Sequence, residues 1–443
     1  MTSPQPVGYA RRVGLFSGTM LVVGGIIGAG IFLNPAVVAQ RVGTVPLILG
    51  VWVAGAVVAV IGAFIFGELG ARRPAAGGGY AYLLEAYGPL PAFVYAWTLL
   101  AVVQSGAIAA VALTFASYAV SLAGLPAPLT VPLALAAIAF LTGINVVGVR
   151  PAAITGNVLT LLKLAALALL IGAGALLGGA HGAAPPPAAP PAHPLLAAAG
   201  GLVPVLFAFG GWQQTNWVAE ELVEPEVNLP RALVLGIGIV VAVYLAANVV
   251  YLRTLGPAGL AASTAPASDA MDRLLGPWGR TIIALGIAIS TFGFLNVVIL
   301  VSPRVYQAMA SHGTALAPLA RLSPRFRTPV VALLVQGAWS AVLVLTGTYG
   351  DLLDYASFGD WLFFALIAST LLVFRRRDGS RAAPFRAPWV PWSVLLFVAA
   401  SLFAVAGTIA ANPRHALRGA ALVLAGLPIY FLVRRPNGGH PPA

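Results

Sequence analysis

The sequence predicts an all-α membrane protein of about 12 transmembrane helices, built as a five-plus-five inverted repeat followed by two further helices. Three observations carry that reading. Of 443 residues, 60% are hydrophobic and 8% charged, whereas soluble domains carry roughly a quarter charged residues. Apolar runs of the length a bilayer requires, about 20 residues, recur along the whole chain. Two of these runs, the first and the sixth, are interrupted midway by glycine pairs, Gly24-Gly25 and Gly210-Gly211.

The spans are expected at 13–40, 45–70, 90–122, 130–148, 151–178, 195–221, 230–254, 278–301, 328–348, 352–374, 388–411 and 416–433. Span one follows Arg11-Arg12, is too long for a leader's apolar core and ends in no small-residue cleavage site, so it is read as retained. Within it lies Gly24-Gly25-Ile26-Ile27-Gly28-Ala29-Gly30-Ile31-Phe32. Span five carries the one deeply placed basic residue, Lys163. Span six breaks at Phe207-Ala208-Phe209-Gly210-Gly211-Trp212-Gln213-Gln214. Five spans separate the breaks, and an odd-numbered unit that starts inside forces the next to start outside, which makes the halves inverted. The chain is thus a single integral membrane domain over 1–443, with 13–178 as first repeat, 195–374 as inverted second repeat and 388–433 as helices 11 and 12. Polar connections are expected at 71–89, His181 to Pro194, Glu224 to Pro230, 256–277, 311–327 and 375–387. The Pro/Ala-rich stretch from His181 to Pro194 is read as an extended external loop without function.

Most of the basic residues fall on one side: Arg11, Arg12, Arg72, Arg73, Arg150, Arg231, Arg304, the groups at 321–327 and 375–386, and Arg434-Arg435. Arg41, Arg253, Arg273, Arg280, Arg414 and Arg418 fall on the other. By the positive-inside rule both termini lie in the cytoplasm, the protein being multi-pass in the cell (inner) membrane. The net charge of +12 therefore reads as topology, and no nucleic-acid partner is expected. Arg375-Arg376-Arg377 is read as topogenic, with contact to anionic lipid headgroups as the alternative. The chain has no cysteine, which excludes disulfides, thiolate metal sites and a disulfide-linked partner subunit. His181, His193, His312, His415 and His440 lie in or beside loops without metal-binding spacing, so no metal and no cofactor is expected. No HExxH motif or Ser/His pair at membrane depth suggests an enzyme, and no selectivity ring suggests a channel. A monomer working within the lipid bilayer is expected.

Broken membrane helices expose backbone groups, which is tolerated only where something other than lipid meets them. The outer half of span one begins near Ala29 and Gly30, where free N–H groups and the positive end of the helix dipole suit a carboxylate. The inner half ends near Gly25 and Ile26, and the outer half of span six ends near Phe207 and Gly210. Their free carbonyls suit an ammonium group. Together the breaks match the zwitterion of an α-amino acid.

At these residues the sequence resembles the L-type amino acid transporters of the amino acid–polyamine–organocation superfamily. GGIIGAGIF matches the superfamily's unwound motif, and more specific are Gly77-Gly78-Gly79-Tyr80-Ala81-Tyr82-Leu83-Leu84-Glu85-Ala86-Tyr87-Gly88-Pro89-Leu90 and the run from Phe207 to Arg231. The resemblance extends over spans one to ten. It implies the leucine-transporter-like fold with helices 1 and 6 unwound, and sodium-independent amino acid transport, often by exchange. It further implies that the Ala29 and Gly30 amides hold the carboxylate and the carbonyls of Ile26, Phe207 and Gly210 the amine, with Gly25 and Gly28 in the same break. Phe209 and Trp212 would stand at the pocket, one shielding the substrate from the outside, their alternative being packing aromatics. Gln213 and Gln214 either line the path or satisfy freed backbone groups. Ala29 replaces the family's frequent Ser, and Gly79 stands where an Asp is frequent. The absence of Cys resembles the stand-alone prokaryotic members.

Lys163 lies about 18 Å into its span at about 1.5 Å per residue, where an ammonium is costly and should face the bundle interior. In related transporters a Lys here takes the place of the cation that sodium-coupled relatives hold between spans one and eight. It would bond carbonyls at the span-one break and Ser290 or Thr291, as a tether or as a proton carrier. Glu68 is expected to pair with Arg72 or Arg73. Glu220, Glu221, Glu224 and Glu226 form an acidic patch, either an inner lock or a solvated face. Asp360 is expected to line the path or a wetted vestibule. For the side-chain pocket, Gln104, Ser105, Thr291 and Phe292 are candidates. These point to a small or medium neutral amino acid carried by alternating access; the alternatives are proton-coupled symport, cationic amino acid or polyamine transport, and a membrane sensor that transports nothing.

Overall fold

The computed structural model describes residues 8–177, 193–346, 349–379, 383–411 and 413–433. The Pro/Ala-rich stretch up to Ala192, with His181, and the positions of Arg381, Arg434, Arg435 and His440 lie outside them. Among the described residues the chain is all-helical, with one isolated parallel bridge between Val13 and Leu222. Among the described residues nine helices are long and apolar enough to cross a membrane, and a bent pair makes ten. The chain is a multi-spanning membrane protein.

The bent pair is α1 (Leu15–Ile26) and α2 (Gly30–Val42), which meet at 41°. After the long α3 (Val45–Arg72), the segment expected as a polar connection folds into a short helix, α4 (Gly79–Tyr87). Its buried Tyr80, Tyr82 and Leu83 face the bundle, an apolar stripe too short to register as a span. A third span runs through α5 (Pro89–Thr98), a π-turn at Leu99–Val103 and α6 (Gln104–Leu122). Next come α7 (Thr130–Val147), α8 (Val149–Leu177) and α9 (Pro194–Ala208). The chain then turns into a 3-10 segment, Trp212–Glu221, followed by α10 (Pro225–Ala262) and α11 (Pro266–Ser311). These two long helices run through most of the expected 256–277 connection, kinked at Gly256 and Gly276. The remainder is α12 (Val330–Thr346), α13 (Tyr349–Asp378), α14 (Trp392–Ala411) and α15 (Pro413–Val433). Proline near the start of α3, α5, α9, α10 and α11 suits a first turn that has no need of its N–H.

Packing sorts the helices around the two breaks. α10 lies against α1, α2 and α3, while α9 lies against α2 and α3. On the other side α11 packs on α6 and α8, and a separate apolar cluster joins α6, α7, α11 and α12 through Ile108, Ile138, Leu295 and Leu333. The gap between these groups holds the candidate site.

Candidate functional site

The two breaks touch. Gly211 has φ of 114°, a left-handed conformation that favours glycine. A side chain there would collide with the Gly25 carbonyl, and a methyl on Gly25 would stand 3.1 Å from the Gly211 oxygen. Across the break, Ile27 closes α1 by donating its N–H to the Val23 oxygen, and Gly28 donates to the Ile26 oxygen, both at 2.9 Å. α2 then opens at Gly30 with Ala29 as its cap, and the first N–H groups of a helix have no intrahelical acceptor. In the second break Gly210 donates to the Phe207 oxygen at 3.1 Å.

Side chains satisfy most of the freed carbonyls. Lys163, fully buried, donates from Nζ to the Gly24 oxygen at 3.2 Å and to the Ile27 oxygen at 2.7 Å. Ser290 Oγ donates to the same Ile27 oxygen at 3.3 Å. Thr291 instead spends its hydroxyl on Ile287 and Ala288 of its own helix. The Tyr244 hydroxyl reaches the Ile26 oxygen at 3.2 Å and the Ala208 oxygen at 3.3 Å, one carbonyl from each break.

A cavity of about 310 Å³ opens on the breaks. Gly25, Ile26, Gly28, Ala29, Gly30, Phe207 and Gly210 all line it. Phe209 and Trp212 do not: Phe209 packs on Trp52 and Tyr244, and Trp212 packs on Phe66 with ring centroids 4.8 Å apart. Both are core aromatics behind the wall. Gln213 and Gln214 both line the cavity. Gln213 Oε1 accepts the Gly211 N–H at 3.0 Å, whereas the buried Oε1 of Gln214 has no partner among the described residues.

The side-chain end of the cavity is largely apolar, with Leu33, Val111, Phe294 and Trp361, interrupted by Gln104 beside the π-turn and by Asp360. Phe294 stands where Phe292 was expected. Two residues turn a helix by about 200°, so Phe292 packs on Phe115 instead, and Ser105 is buried away from the wall. No ion pair to Asp360 occurs among the described residues.

Backbone bonds and a buried ion pair tie α1, the 3-10 segment and α11 together. Arg12 and Val13 donate to the Glu221 oxygen at 2.9 Å, tying the start of α1 to the end of the 3-10 segment. Glu221 pairs with Arg304 at 2.6 Å, both buried, and Arg304 also donates to the Leu300 oxygen. Glu220 accepts the Ala76 N–H at 3.0 Å, while Glu224 is exposed. The acidic patch is therefore one buried ion pair, one loop anchor and solvated remainder.

Glu68 pairs with Arg72 at 2.7 Å and with Arg375 at 2.6 Å. Arg73 ends α3 with non-helical φ and ψ, so its side chain leaves the Glu68 face and pairs with Glu85 and Asp378. The bond to Glu85 raises the Arg73 pKa, burial opposes it, and Asp378 adds to the rise.

The amino acid permease family model matches residues 13–432 of this chain. The chain belongs to the amino acid permease family. It is a transporter of the cell membrane, not an enzyme, and its substrate is an amino acid crossing a lipid bilayer. Mouse b(0,+)-type amino acid transporter 1 is 34% identical over 432 residues, covering 95% of this chain and 88% of the relative. Mouse Asc-type amino acid transporter 1 is 33% identical, covering 96% and 82%. Rat large neutral amino acids transporter small subunit 2 is 33% identical, covering 96% and 81%. The strong matches are mouse, human, rat and rabbit proteins, which corrects the expected likeness to prokaryotic members. That expectation leaned on the missing cysteine, which removes one covalent link and says nothing of lineage. A permease without cysteine forms no disulfide to a partner subunit.

Proposed function

We propose that this permease exchanges amino acids across the cell membrane by sodium-independent alternating access, and that it accepts cationic as well as neutral side chains. The observation that carries this reading is the meeting of two opposite backbone ends on one cavity: the amides of Ala29 and Gly30 beside the carbonyls near Ile26 and Gly210. A carboxylate suits the first and an ammonium the second. Gln214 Oε1 is a further acceptor for the ammonium. Lys163, bonded to the Gly24 and Ile27 carbonyls, stands in for a coupling ion and ties the break to α8.

The side-chain preference rests on Asp360. An unpaired carboxylate at membrane depth is costly unless it meets water or a cation, and the wall around it suits aliphatic chains. The b(0,+) designation of the mouse and human relatives, read as neutral and cationic substrates, supports the wider range. In this reading 13–178 and 195–374 are inverted repeats of a 12-helix, leucine-transporter-like fold with helices 1 and 6 unwound, 388–433 supplies helices 11 and 12, and both termini are cytoplasmic. Phe207 rather than Phe209 or Trp212 is the aromatic beside the substrate.

Counterflow in proteoliposomes tests the proposal, with each of the twenty amino acids loaded inside or left out, and with sodium or pH gradients imposed. Flux that needs internal substrate, ignores both gradients and includes lysine and leucine is the expected result. Accumulation that follows the pH gradient would replace exchange by proton symport, and absence of all flux would leave a sensor.

A further inference from the structure

The charged end of α13 carries a second groove, remote from the substrate cavity. There Arg72, Arg73 and Arg375 are each paired with carboxylates of Glu68, Glu85 or Asp378 at 2.6–2.8 Å. Arg377 donates to the Glu85 and Ala86 carbonyl oxygens at 2.7 and 3.4 Å. Arg376 is exposed and has no hydrogen-bond or ion-pair partner among the described residues. It opens onto a groove of about 420 Å³ lined by Arg376, Arg377, Leu372, Val373, Ser369 and Tyr87.

Positions 369, 372, 373, 376 and 377 share one helix face. The chemistry along that face is graded: cationic at the helix end, then apolar, with the Ser369 and Tyr87 hydroxyls bonded to each other at 2.7 Å. A small solute anion would use the guanidiniums but not the apolar floor. A lipid with a phosphate at the bilayer boundary and a chain running inward along the helix uses both.

We propose that this groove binds an anionic phospholipid, with its phosphate on Arg376 and Arg377 and an acyl chain along Leu372 and Val373. Arg377 and Tyr87 touch or belong to α4, so a bound headgroup also braces the short helix beside the Arg73 network.

The test uses the full-length protein reconstituted in phosphatidylcholine vesicles with and without phosphatidylglycerol, then released for native mass spectrometry to count retained lipid. The wild type is expected to keep phosphatidylglycerol against excess phosphatidylcholine, and Arg376→Gln to retain it about fivefold less, the weight of one guanidinium at a membrane surface. Leu372→Trp, which fills the floor without altering charge, should also lose the lipid and guards against misfolding of the first variant. Retention unchanged in both variants would overturn the proposal. Displacement of the lipid by millimolar inorganic phosphate alone would do so too, because it would mark a site for a free anion.

Discussion

Gly25 and Gly211 meet backbone to backbone where the two breaks touch, so close that a side chain on Gly211 would collide with the Gly25 carbonyl and a methyl on Gly25 would be tightly held at 3.1 Å from the Gly211 oxygen. Gly211→Ala would add a collision with the Gly25 carbonyl to a left-handed φ that costs a non-glycine residue about 1–3 kcal/mol. Uptake should fall by at least about tenfold, the equivalent of 1.4 kcal/mol, with the protein still inserted in the membrane. Radiolabelled uptake together with fluorescence-detected size exclusion measures both, and wild-type flux in a monodisperse variant would contradict the close approach of the breaks.

Lys163→Ala should reduce uptake by about tenfold or more while leaving expression intact. It strips the Gly24 and Ile27 carbonyls of their buried donor, and each orphaned acceptor costs about 1–3 kcal/mol. Ser290 retains a partial claim on Ile27 but reaches 3.3 Å at best. Unchanged uptake kinetics would sink the role assigned to the ammonium.

Asp360→Asn separates substrate classes. Loss of a charge-assisted bond, worth about 1.5–3 kcal/mol, should raise the KM for lysine or arginine by about tenfold or more and leave leucine within about twofold. Parallel losses for both classes would mean that Asp360 supports the helix rather than the side chain of the substrate.

Glu221→Gln leaves the Arg304 guanidinium buried without its counter-charge, which costs about 3–5 kcal/mol. A clear drop in the melting temperature of the detergent-solubilised protein is expected, with partial recovery when Arg304→Met removes the stranded charge. An unchanged melting profile in the single variant would show that the pair contributes nothing to holding α11 on the 3-10 segment.

That the cavity opens on the two breaks is legible in the sequence, because glycine pairs in apolar runs declare themselves without reference to any neighbour. Lys163 was legible for a similar reason: a charge at that depth must face inward. The side-chain wall was not. Whether Phe292 or Phe294 faces the cavity depends on the rotation of α11, and an apolar helix buried on most sides has no polar stripe to fix that rotation. Phe209 and Trp212 carry the chemistry of pocket aromatics, but the turn after Ala208 carries them into the core and leaves Phe207 on the wall. Arg73 shows the same limit at a helix end, where one non-helical residue sends a side chain to Glu85 and Asp378 instead of Glu68. Helix α4 was hidden because its single apolar stripe is too short to stand out from a loop.

Tyr244 has one hydroxyl proton and two claimants, the Ile26 oxygen at 3.2 Å and the Ala208 oxygen at 3.3 Å. A single O–H cannot point fully at both, so the link it makes between the two breaks is shared between two acceptors. In the proposed function, a substrate ammonium competing for the Ile26 oxygen would leave the phenol to Ala208. Occupancy of the proposed site would then be registered as a change of allegiance by one proton, at a side chain that bridges the two breaks.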